Sequence, residues 1–522
     1  MNPAIRASLL SIAVILAAGT GCSDPITRAT EWTQPSARPS LDPTYQPSGH
    51  AAAGHVFVHL FEWPWEEVAT ECEVYLGPTG YEAVQVSPPQ EHAVLPGFPW
   101  WERYQPVSYS LERSRSGTAD AFRNMVERCH AAGVDVYVDA ILNHMTAGAG
   151  VGSNGTAYSK YAYPGLYDAG DFHAPCQVTD YQDAANVQDC ELLGLADLDT
   201  GSESVRRRLA DYLIALGRMG VAGFRLDAAK HIQPVELDSI LALVNRAADA
   251  ENRPRPYYFA EVIDFGGEAV TARDYFGLAS SSGGSSDITE FRYRRFADFF
   301  KRDNAQPLAA LKEASPTAWN LMPADKAVVF ANNHDTQRAS GTLDYRDAVR
   351  YRLAHVWLLA YPYGYPKVTS GYAFDIASQA GRDMGPPSGP GGETLPVACA
   401  SSMEEVLPGG WVCEHRDPVI SAMVAFRRAV SGTPVTGWWD DGGNAIAFSR
   451  GDQGFVAINL EPDSVTVSTL TPLPAGVYCD ILTGPPGEGT CPGHAITVSE
   501  TGVVEFRLPP ERAVAIRRGV DL

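Results

Sequence analysis

The sequence predicts an α/β chain: a (β/α) barrel, an excursion after its third strand, and a separate antiparallel β domain at the C-terminal end. Three observations predict it. Short continuous apolar runs recur at 56–61, 83–86, 134–141, 221–226, 257–262 and 327–331, the pattern of parallel strands buried on both faces. Helical stripes lie between these runs, so strand and helix alternate over most of the chain. After about residue 432 the pattern changes to turn residues and short alternating runs, as at 445–449 and 454–459, which read as antiparallel strands.

In chain order, residues 1–22 read as an export signal. Arg6 precedes an apolar run at 9–18 that is too short to span a bilayer, and small residues follow. The string Gly19-Thr20-Gly21-Cys22 looks like a bacterial lipoprotein processing site, with Gly19 where an aliphatic residue is usual. Cys22 is then either lipidated or a spare residue lost with a cleaved signal. Residues 23–50, rich in Pro, Ser, Thr and Ala without apolar period, read as a disordered linker. The barrel is assigned to 51–144 and 197–431. Within it, 117–133 reads as a helix ending at Gly133. The segment 202–220 reads as another, with Ser202 as N-cap, Val205, Leu209, Tyr212, Leu213 and Leu216 as its stripe, and Gly220 as its stop. Residues 145–196 are loop-rich and poor in apolar core residues, so they form a small inserted domain. Residues 432–522 form the C-terminal β domain.

Composition bounds the partners. The 522 residues are 45% hydrophobic and 20% charged, an ordinary globular balance, with a formal net charge of -22. That charge repels nucleic acid and anionic lipid and suits a soluble extracellular protein. Without Cys22, eight cysteines remain, an even number in an exported chain. No C-x2-C pair is present, which argues against zinc and redox sites. Local pairing gives Cys176–Cys190, Cys399–Cys413 and Cys479–Cys491 and leaves Cys72 with Cys129, although spacing alone does not decide the connectivity.

Four apolar runs end in ionisable residues. They are Asp139-Ala-Ile-Leu-Asn143-His144, Gly223-Phe-Arg225-Leu-Asp227-Ala-Ala-Lys230-His231, Glu261-Val-Ile-Asp264 and Asn332-Asn333-His334-Asp335. In a barrel, that position opens onto the active-site face. Arg225 and Asp227 are two apart and share a strand face, and a carboxylate beside a cation stays ionised, as a nucleophile requires. Asp227, Glu261 and Asp335 end three different strands and converge on one cleft; cleaving a sugar acetal needs an ionised carboxylate and a protonated one. A lone Asp at a strand end is more often a helix cap than a catalyst, but four clusters in order are not explained that way.

The four clusters resemble those of the α-amylases of glycoside hydrolase family thirteen. Val86-Ser-Pro-Pro-Gln90, Trp100-Trp-Glu-Arg-Tyr-Gln-Pro106 and Trp411-Val-Cys-Glu-His415 resemble the animal-type branch and its bacterial relatives. The resemblance runs from about His55 to the end. It implies a (β/α)8 TIM barrel, an inserted B domain and a C-terminal antiparallel β-sandwich, acting as a monomer on starch and related α-glucans. It implies endo-hydrolysis of α-1,4 bonds with retention, with Asp227 as nucleophile, Glu261 as general acid/base and Asp335 as transition-state stabiliser. Trp100, Trp101, Tyr104, Gln105, His144, Arg225 and His334 would line the sugar subsites, with Lys230 and His231 on the leaving-group side.

It also implies a structural Ca2+ held by Asn143, Asp197 and the main-chain carbonyls of Gln188 and His231, an all-oxygen set that suits calcium. A chloride pocket of Arg225, Asn333 and Lys367 is implied, with Lys367 standing where animal relatives carry arginine. The four local cysteine pairs agree with this branch's disulfides. One element of the branch is missing: after the fourth cluster, Gln337-Arg-Ala-Ser-Gly341 runs quickly into helix without the glycine-rich loop. Two other readings stay open, a non-catalytic glucan-binding lipoprotein on the same barrel and a transglycosylase of the same family.

Overall fold

The computed structural model describes residues 54–484 and 490–520. The expected export signal, the linker and Cys22 lie outside the described residues.

Eight strands close a barrel: β1 (Phe57–Leu60), β2 (Ala83–Val86), β3 (Asp135–Ile141), β4 (Gly223–Asp227), β5 (Tyr257–Ala260), β6 (Asp287–Thr289), β7 (Ala327–Val329) and β8 (Tyr365–Ser370). Each pairs in parallel with its neighbour in chain order, and β8 closes on β1. Six of the eight follow the apolar runs. The sequence reading missed β6 and β8. Strand β6 is only Asp287-Ile288-Thr289, and β8 carries Pro366, Lys367, Thr369 and Ser370, yet every residue of both is buried. Lys367 faces the barrel interior, Asp287 accepts the Tyr257 hydroxyl at 2.6 Å and Ser370 meets His415, so burial here is of paired polar groups and hydropathy alone does not mark these strands.

Side chains alternate along each strand, so inward residues stack in layers. The lower layer is apolar and aromatic: Phe57, Ala83, Tyr137, Tyr257, Phe259, Val328 and Tyr365 pack together. Phe57 meets Tyr137 and Phe259 edge-on, each at 5.5 Å between ring centroids. Gly223 makes room for this layer. A Cβ there would lie 2.8 Å from both Tyr137 Cδ1 and the Tyr257 carbonyl oxygen. Gly223→Ala is therefore expected to overpack the barrel and cost about 1–3 kcal/mol. A lower melting temperature checks it, and an unchanged one would mean the interior has slack. Above this layer lie His59, Gln85, Asp139, Arg225 and Lys367, all buried.

The outer helices bury one stripe each. Helix α1 (Ala119–Ala131) starts at Thr118, whose hydroxyl accepts from the Ala121 N–H. Helix α2 (Glu203–Arg218) buries Val205, Leu209, Tyr212, Leu213 and Leu216, as its periodicity predicts. Ser202 is its N-cap by position, but its hydroxyl turns to Ser204 Oγ at 3.0 Å instead of capping the helix. Helix α3 (Pro234–Ala250) follows β4, and α4 (Ala348–Ala360) and α5 (Pro418–Ala429) flank β8.

The segment after β3 is loop-rich, with one two-stranded ribbon (Gly150–Val151 with Ala157–Tyr158) and one short helix (Ala184–Gln188). It is not poor in core residues, contrary to the sequence reading. Tyr158, Tyr163, Tyr167 and Phe172 are buried; Tyr158 stacks on Tyr163, and Phe172 meets Tyr163 at a tilt and Tyr167 edge-on. Tyrosines fill this core, and their hydroxyls reach polar partners, as Tyr163 does with Thr146 Oγ1 at 2.8 Å.

Beyond α5, two four-stranded antiparallel sheets face each other. One contains strands 435–440, 445–450, 454–459 and 512–517; the other contains 465–470, 476–479, 495–498 and 503–508. Their shared core includes Phe455, Val467, Ile496, Val504 and Ile516. Phe448 seats this sandwich on the barrel by packing against Trp357 and Trp438. Arg450, buried at the same junction, donates to the carbonyls of Ala360, Val430 and Thr433. Four disulfides join Cys72–Cys129, Cys176–Cys190, Cys399–Cys413 and Cys479–Cys491. They match the local pairing and suit an oxidising compartment.

Candidate active site

The four clusters end β3, β4, β5 and β7 and meet at the C-terminal mouth of the barrel. Arg225 lies at their centre, 2% exposed. Its Nη1 donates to Asp139 Oδ1 at 2.5 Å and to Asp227 Oδ1 at 2.8 Å, and its Nη2 donates to Glu261 Oε1. One cation therefore touches three carboxyls from three strands. The other Glu261 oxygen accepts the Ala228 N–H at 3.1 Å. Ala228 stands at φ 48, a left-handed bend that turns the chain off β4 directly under Glu261.

Burial pushes the Asp227 carboxyl up; Arg225 opposes this, and Glu261 and Asp139 add to it. Burial likewise raises Asp139, again with Arg225 opposing. Three acids around one guanidinium leave net negative charge in a buried site, which works against full ionisation of Asp139 and Asp227. Asp335 keeps 37% of its side chain in solvent and lies 3.3 Å from His334 Nε2. Burial and Glu261 push it up to about 7, against Arg225 and Arg338; its partial exposure makes it the least confined of the three acids.

Aromatic and imidazole groups line one side. Tyr104 donates its hydroxyl to Asp139 Oδ2 at 3.0 Å and stacks on His334 at 5.3 Å between centroids. His144 Nε2 lies 3.0 Å from the Tyr104 carbonyl, and Gln105 Oε1 accepts the Ala147 N–H at 3.1 Å. Burial holds His144 down to about 4 and His334 well below the usual imidazole range, so both are neutral at pH 7. Trp100 and Trp101 are half-buried on a single 3-10 turn, Trp100–Tyr104. That turn is anchored from below: Arg103 donates to Glu62, to Ser116 Oγ and to the Pro88 carbonyl. The motif at 86–90 thus supplies the floor of the tryptophan turn.

On the opposite side, Lys230 Nζ is not free. It donates to the Ile263 carbonyl at 2.7 Å and to Glu268, and lies 4.9 Å from the centre of the Tyr181 ring. Tyr181, from the inserted domain, is 40% exposed beside it. Sequence reading missed Tyr181 and Glu268, because neither sits in an apolar run that would have flagged it. The motif at 411–415 also gains a role. Glu414 accepts the Gly371 N–H at 3.0 Å and Gln337 Nε2 at 3.3 Å, and His415 Nδ1 meets Ser370 Oγ at 2.8 Å. These two side chains brace the end of β8 and the turn that carries Asp335.

The residues expected at the calcium site fall in two neighbouring pairs, Asn143 with Asp197 and Gln188 with His231. His144 and Asp197 bridge, and the Leu198 N–H donates to the Asn143 carbonyl at 3.0 Å. Asp197 is buried. Its Oδ2 meets His173 Nδ1 at 2.7 Å, while its Oδ1 has no hydrogen-bond partner among the described residues. His231 Nδ1 lies 2.8 Å from the Val187 carbonyl, and Gln188 Nε2 donates to Tyr275 Oη at 2.8 Å, so residues 188 and 231 are held side by side. Among the described residues no three His, Cys, Asp or Glu side chains gather as a metal site; the expected set has one carboxylate, one amide and two carbonyls. An unsatisfied buried carboxylate oxygen amid oxygen donors fits calcium.

Lys367 lies buried in the barrel's polar layer, 5.2 Å from the centre of the Phe330 ring. Burial and the nearby Arg225 push it down to about 8. Asn333 Oδ1 accepts the Thr336 N–H at 2.8 Å, which leaves its amide NH2 to donate elsewhere. Lys367 thus feels the cation of Arg225 and the carboxyls of Asp139, Glu261 and Asp335 together.

Family models of the α-amylase catalytic domain and the α-amylase C-terminal all-β domain match residues 88–366 and 438–519. The chain is 42% identical over 467 residues to an α-amylase of Tenebrio molitor, covering 88% of this chain and 95% of that protein. It is 42% identical over 515 residues to an α-amylase of Thermomonospora curvata, covering 97% of this chain and 78% of that protein. Among solved structures, α-amylase I of Eisenia fetida matches with a TM-score of 0.82 at 37% identity, covering 91% of this chain and 99% of that one. The chain belongs to the α-amylase family of glycoside hydrolases, and its activity is the endo-hydrolysis of α-1,4-glucosidic bonds.

Proposed function

We propose that hydrolysis proceeds with retention, Asp227 attacking the anomeric carbon, Glu261 acting as acid and then base, and Asp335 stabilising the charged transition state. The observation that carries this reading is Arg225, whose two terminal nitrogens touch Asp227 and Glu261. Sharing one guanidinium keeps the two carboxyls close, as the roughly 5–5.5 Å separation of retaining enzymes requires; inverting enzymes need roughly 6.5–9.5 Å to admit a water between them.

Glu261 donates its proton to the glycosidic oxygen, and the bond to the anomeric carbon breaks. Asp227, whose ionised form the 2.8 Å contact with Arg225 favours against its burial, forms the glycosyl ester. Water then enters, Glu261 takes one of its protons, and the ester bond breaks with Asp227 restored. Neutral His144 and His334, with Tyr104, Gln105 and Arg225, hold the reacting sugar, and Trp100 and Trp101 offer flat faces to neighbouring glucose rings. Lys230, His231 and the newly found Tyr181 and Glu268 form the leaving-group side. A variant of the Eisenia enzyme is described in complex with maltohexaose, and a glucan of that kind is the substrate expected here.

NMR of a maltooligosaccharide digest should show the α-anomer first; β-anomer first overturns the mechanism. On soluble starch, reducing ends should rise as product size falls. Longer products would favour a transglycosylase, and no change would favour a binding protein.

Calcium, when bound by Asn143, Asp197 and the carbonyls of Gln188 and His231, ties the inserted domain to the barrel. A cavity of about 620 Å³, lined among others by His173, Asp183, Asp189, Asp199 and Glu236, opens at the same inserted domain.

Chloride is the second ion of the reading, held by Arg225, Asn333 and Lys367. An anion there disfavours ionisation of the neighbouring carboxyls, so the catalytic proton is kept to higher pH. Activity is expected to extend on the alkaline limb when chloride is added back to chloride-free buffer, with the acid limb little changed. Superimposable pH–rate profiles would remove the anion site. The lysine, a point charge without arginine's planar fork, should bind the anion more weakly than an arginine would.

Export and anchoring through a lipidated Cys22 are part of the same reading, supported by the disulfides and the N-terminal pattern. The mass of the native N-terminus tests the anchor. The enzyme is expected to act as a monomer.

A further inference from the structure

Arg338 lies three residues beyond Asp335, on the 3-10 turn Thr336–Arg338, and is 7% exposed. Its guanidinium uses all three nitrogens. Nη1 donates to the His334 carbonyl, Nε to the Arg382 carbonyl at 3.1 Å and Nη2 to Tyr372 Oη at 2.9 Å. The same Arg382 carbonyl accepts Trp100 Nε1 at 3.1 Å. Four rings surround the cation, with centroids at 4.4 Å (Phe374), 4.7 Å (Trp100), 5.4 Å (Phe61) and 5.6 Å (Tyr372). Phe61 in turn stacks on His334 at 4.7 Å, and Tyr372 donates to the Met384 carbonyl at 2.8 Å.

This one side chain therefore joins the turn that carries Asp335, the loop after β8, the tryptophan turn after β2 and the end of β1. Its described partners are carbonyls, a phenol and rings, not a carboxylate. Burying a cation without a carboxylate partner is costly, and pure packing does not call for it. The loop after β8 also lies bare against the tryptophan loop: a Cβ on Gly385 would come within 2.0 Å of the Phe98 carbonyl oxygen.

We propose that Arg338 is a positioning residue that sets the placement of the Trp100 face relative to Asp335, using a planar cation held in an aromatic cage. The proposal rests on the reading of Trp100 as a glucose platform and Asp335 as the third catalytic carboxyl. It also gives a role to the short turn that replaces the glycine-rich loop: the wall of the cleft is pinned here rather than mobile. Lysine cannot substitute, because a point charge on a flexible stem cannot donate in three in-plane directions and stack at once.

The test uses the full-length enzyme on a defined maltooligosaccharide, with Arg338→Met, Arg338→Lys, Gly385→Ala and Trp100→Ala. Arg338→Met should raise KM roughly tenfold and lower kcat, since small misplacements of bound groups carry large penalties. It should also move the pH–rate profile upward. Asp335 faces Glu261, Asp139, His334, Arg225 and Arg338, and removing one of its two arginines favours the protonated form. Arg338→Lys should keep the wild-type pH profile and still raise KM. Gly385→Ala should raise KM without altering the pH profile, and through the Phe98 carbonyl it reports on the placement of the same tryptophan turn if Arg338→Met does not fold. Wild-type KM in Arg338→Lys and Gly385→Ala would overturn the proposal. If Trp100→Ala raises KM and the Arg338 variants do not, only the positioning role fails. If Trp100→Ala also leaves KM unchanged, the platform reading fails and this inference fails with it.

Discussion

Replacing Asp227 with Asn should abolish starch hydrolysis while leaving the protein folded. Asparagine keeps the shape and can still sit against Arg225, but its amide cannot form the glycosyl ester that the proposed mechanism requires. Losses from removing proton-transfer groups alone run to about 10²–10⁴-fold; loss of the nucleophile removes the covalent route altogether. The fold should not suffer. Asp139, Asp227 and Glu261 crowd one guanidinium in a buried site, and burial already disfavours the charged form of Asp227. Removing one of the three acids relieves repulsion, so the melting temperature should stay level or rise. Retained turnover in this variant would reject the nucleophile assignment, and a collapsed fold would mean that Arg225 depends on Asp227 for its own burial.

The second large effect is expected on removing calcium. A ligand that binds only the folded state stabilises it by mass action, about 2.7 kcal/mol at a hundredfold excess over Kd. Chelation should therefore lower the melting temperature by several degrees and expose residues 145–196 to proteolysis. The reason is local. Asp197 Oδ1 is buried without a hydrogen-bond partner, and burial pushes the Asp197 carboxyl up to about 6 despite His173. Asp197→Ala should lower stability in calcium-containing buffer and abolish the response to chelator. If exhaustive chelation shifts neither melting nor proteolysis, the site is wrong. The tyrosine core around Tyr163 and Phe172 sets how far the loosening spreads, because it packs the inserted domain from within.

The sequence by itself determined the strand positions that carry the chemistry. Asp139, Arg225 and Asp227, Glu261, and Asn333 to Asp335 all lie in or just after short apolar runs. Such runs have few conformations other than buried strands, and polar residues at their ends must emerge at the barrel mouth. Three of the disulfides follow the short-loop preference, whereas Cys72–Cys129, 57 residues apart, was only the pair left over, and spacing alone did not decide the connectivity. Strand β8 was not legible. Tyr365-Pro-Lys-Val-Thr-Ser370 reads as polar, and only the closed barrel gives Lys367 an interior to face. The core of the inserted domain was hidden because its apolar surface comes from tyrosine rings, which a count of aliphatic residues passes over. Tertiary structure alone decided the electrostatics of the site. That Arg225, already beside Asp227 on its own strand, also touches Asp139 and Glu261, that Lys230 is tied to Glu268, and that Arg338 shares a carbonyl with Trp100 are contacts between strands and loops 36 to 282 residues apart. No local pattern encodes these pairings; they arise when closure of the sheet brings its strand ends to one mouth, where low dielectric makes each contact count.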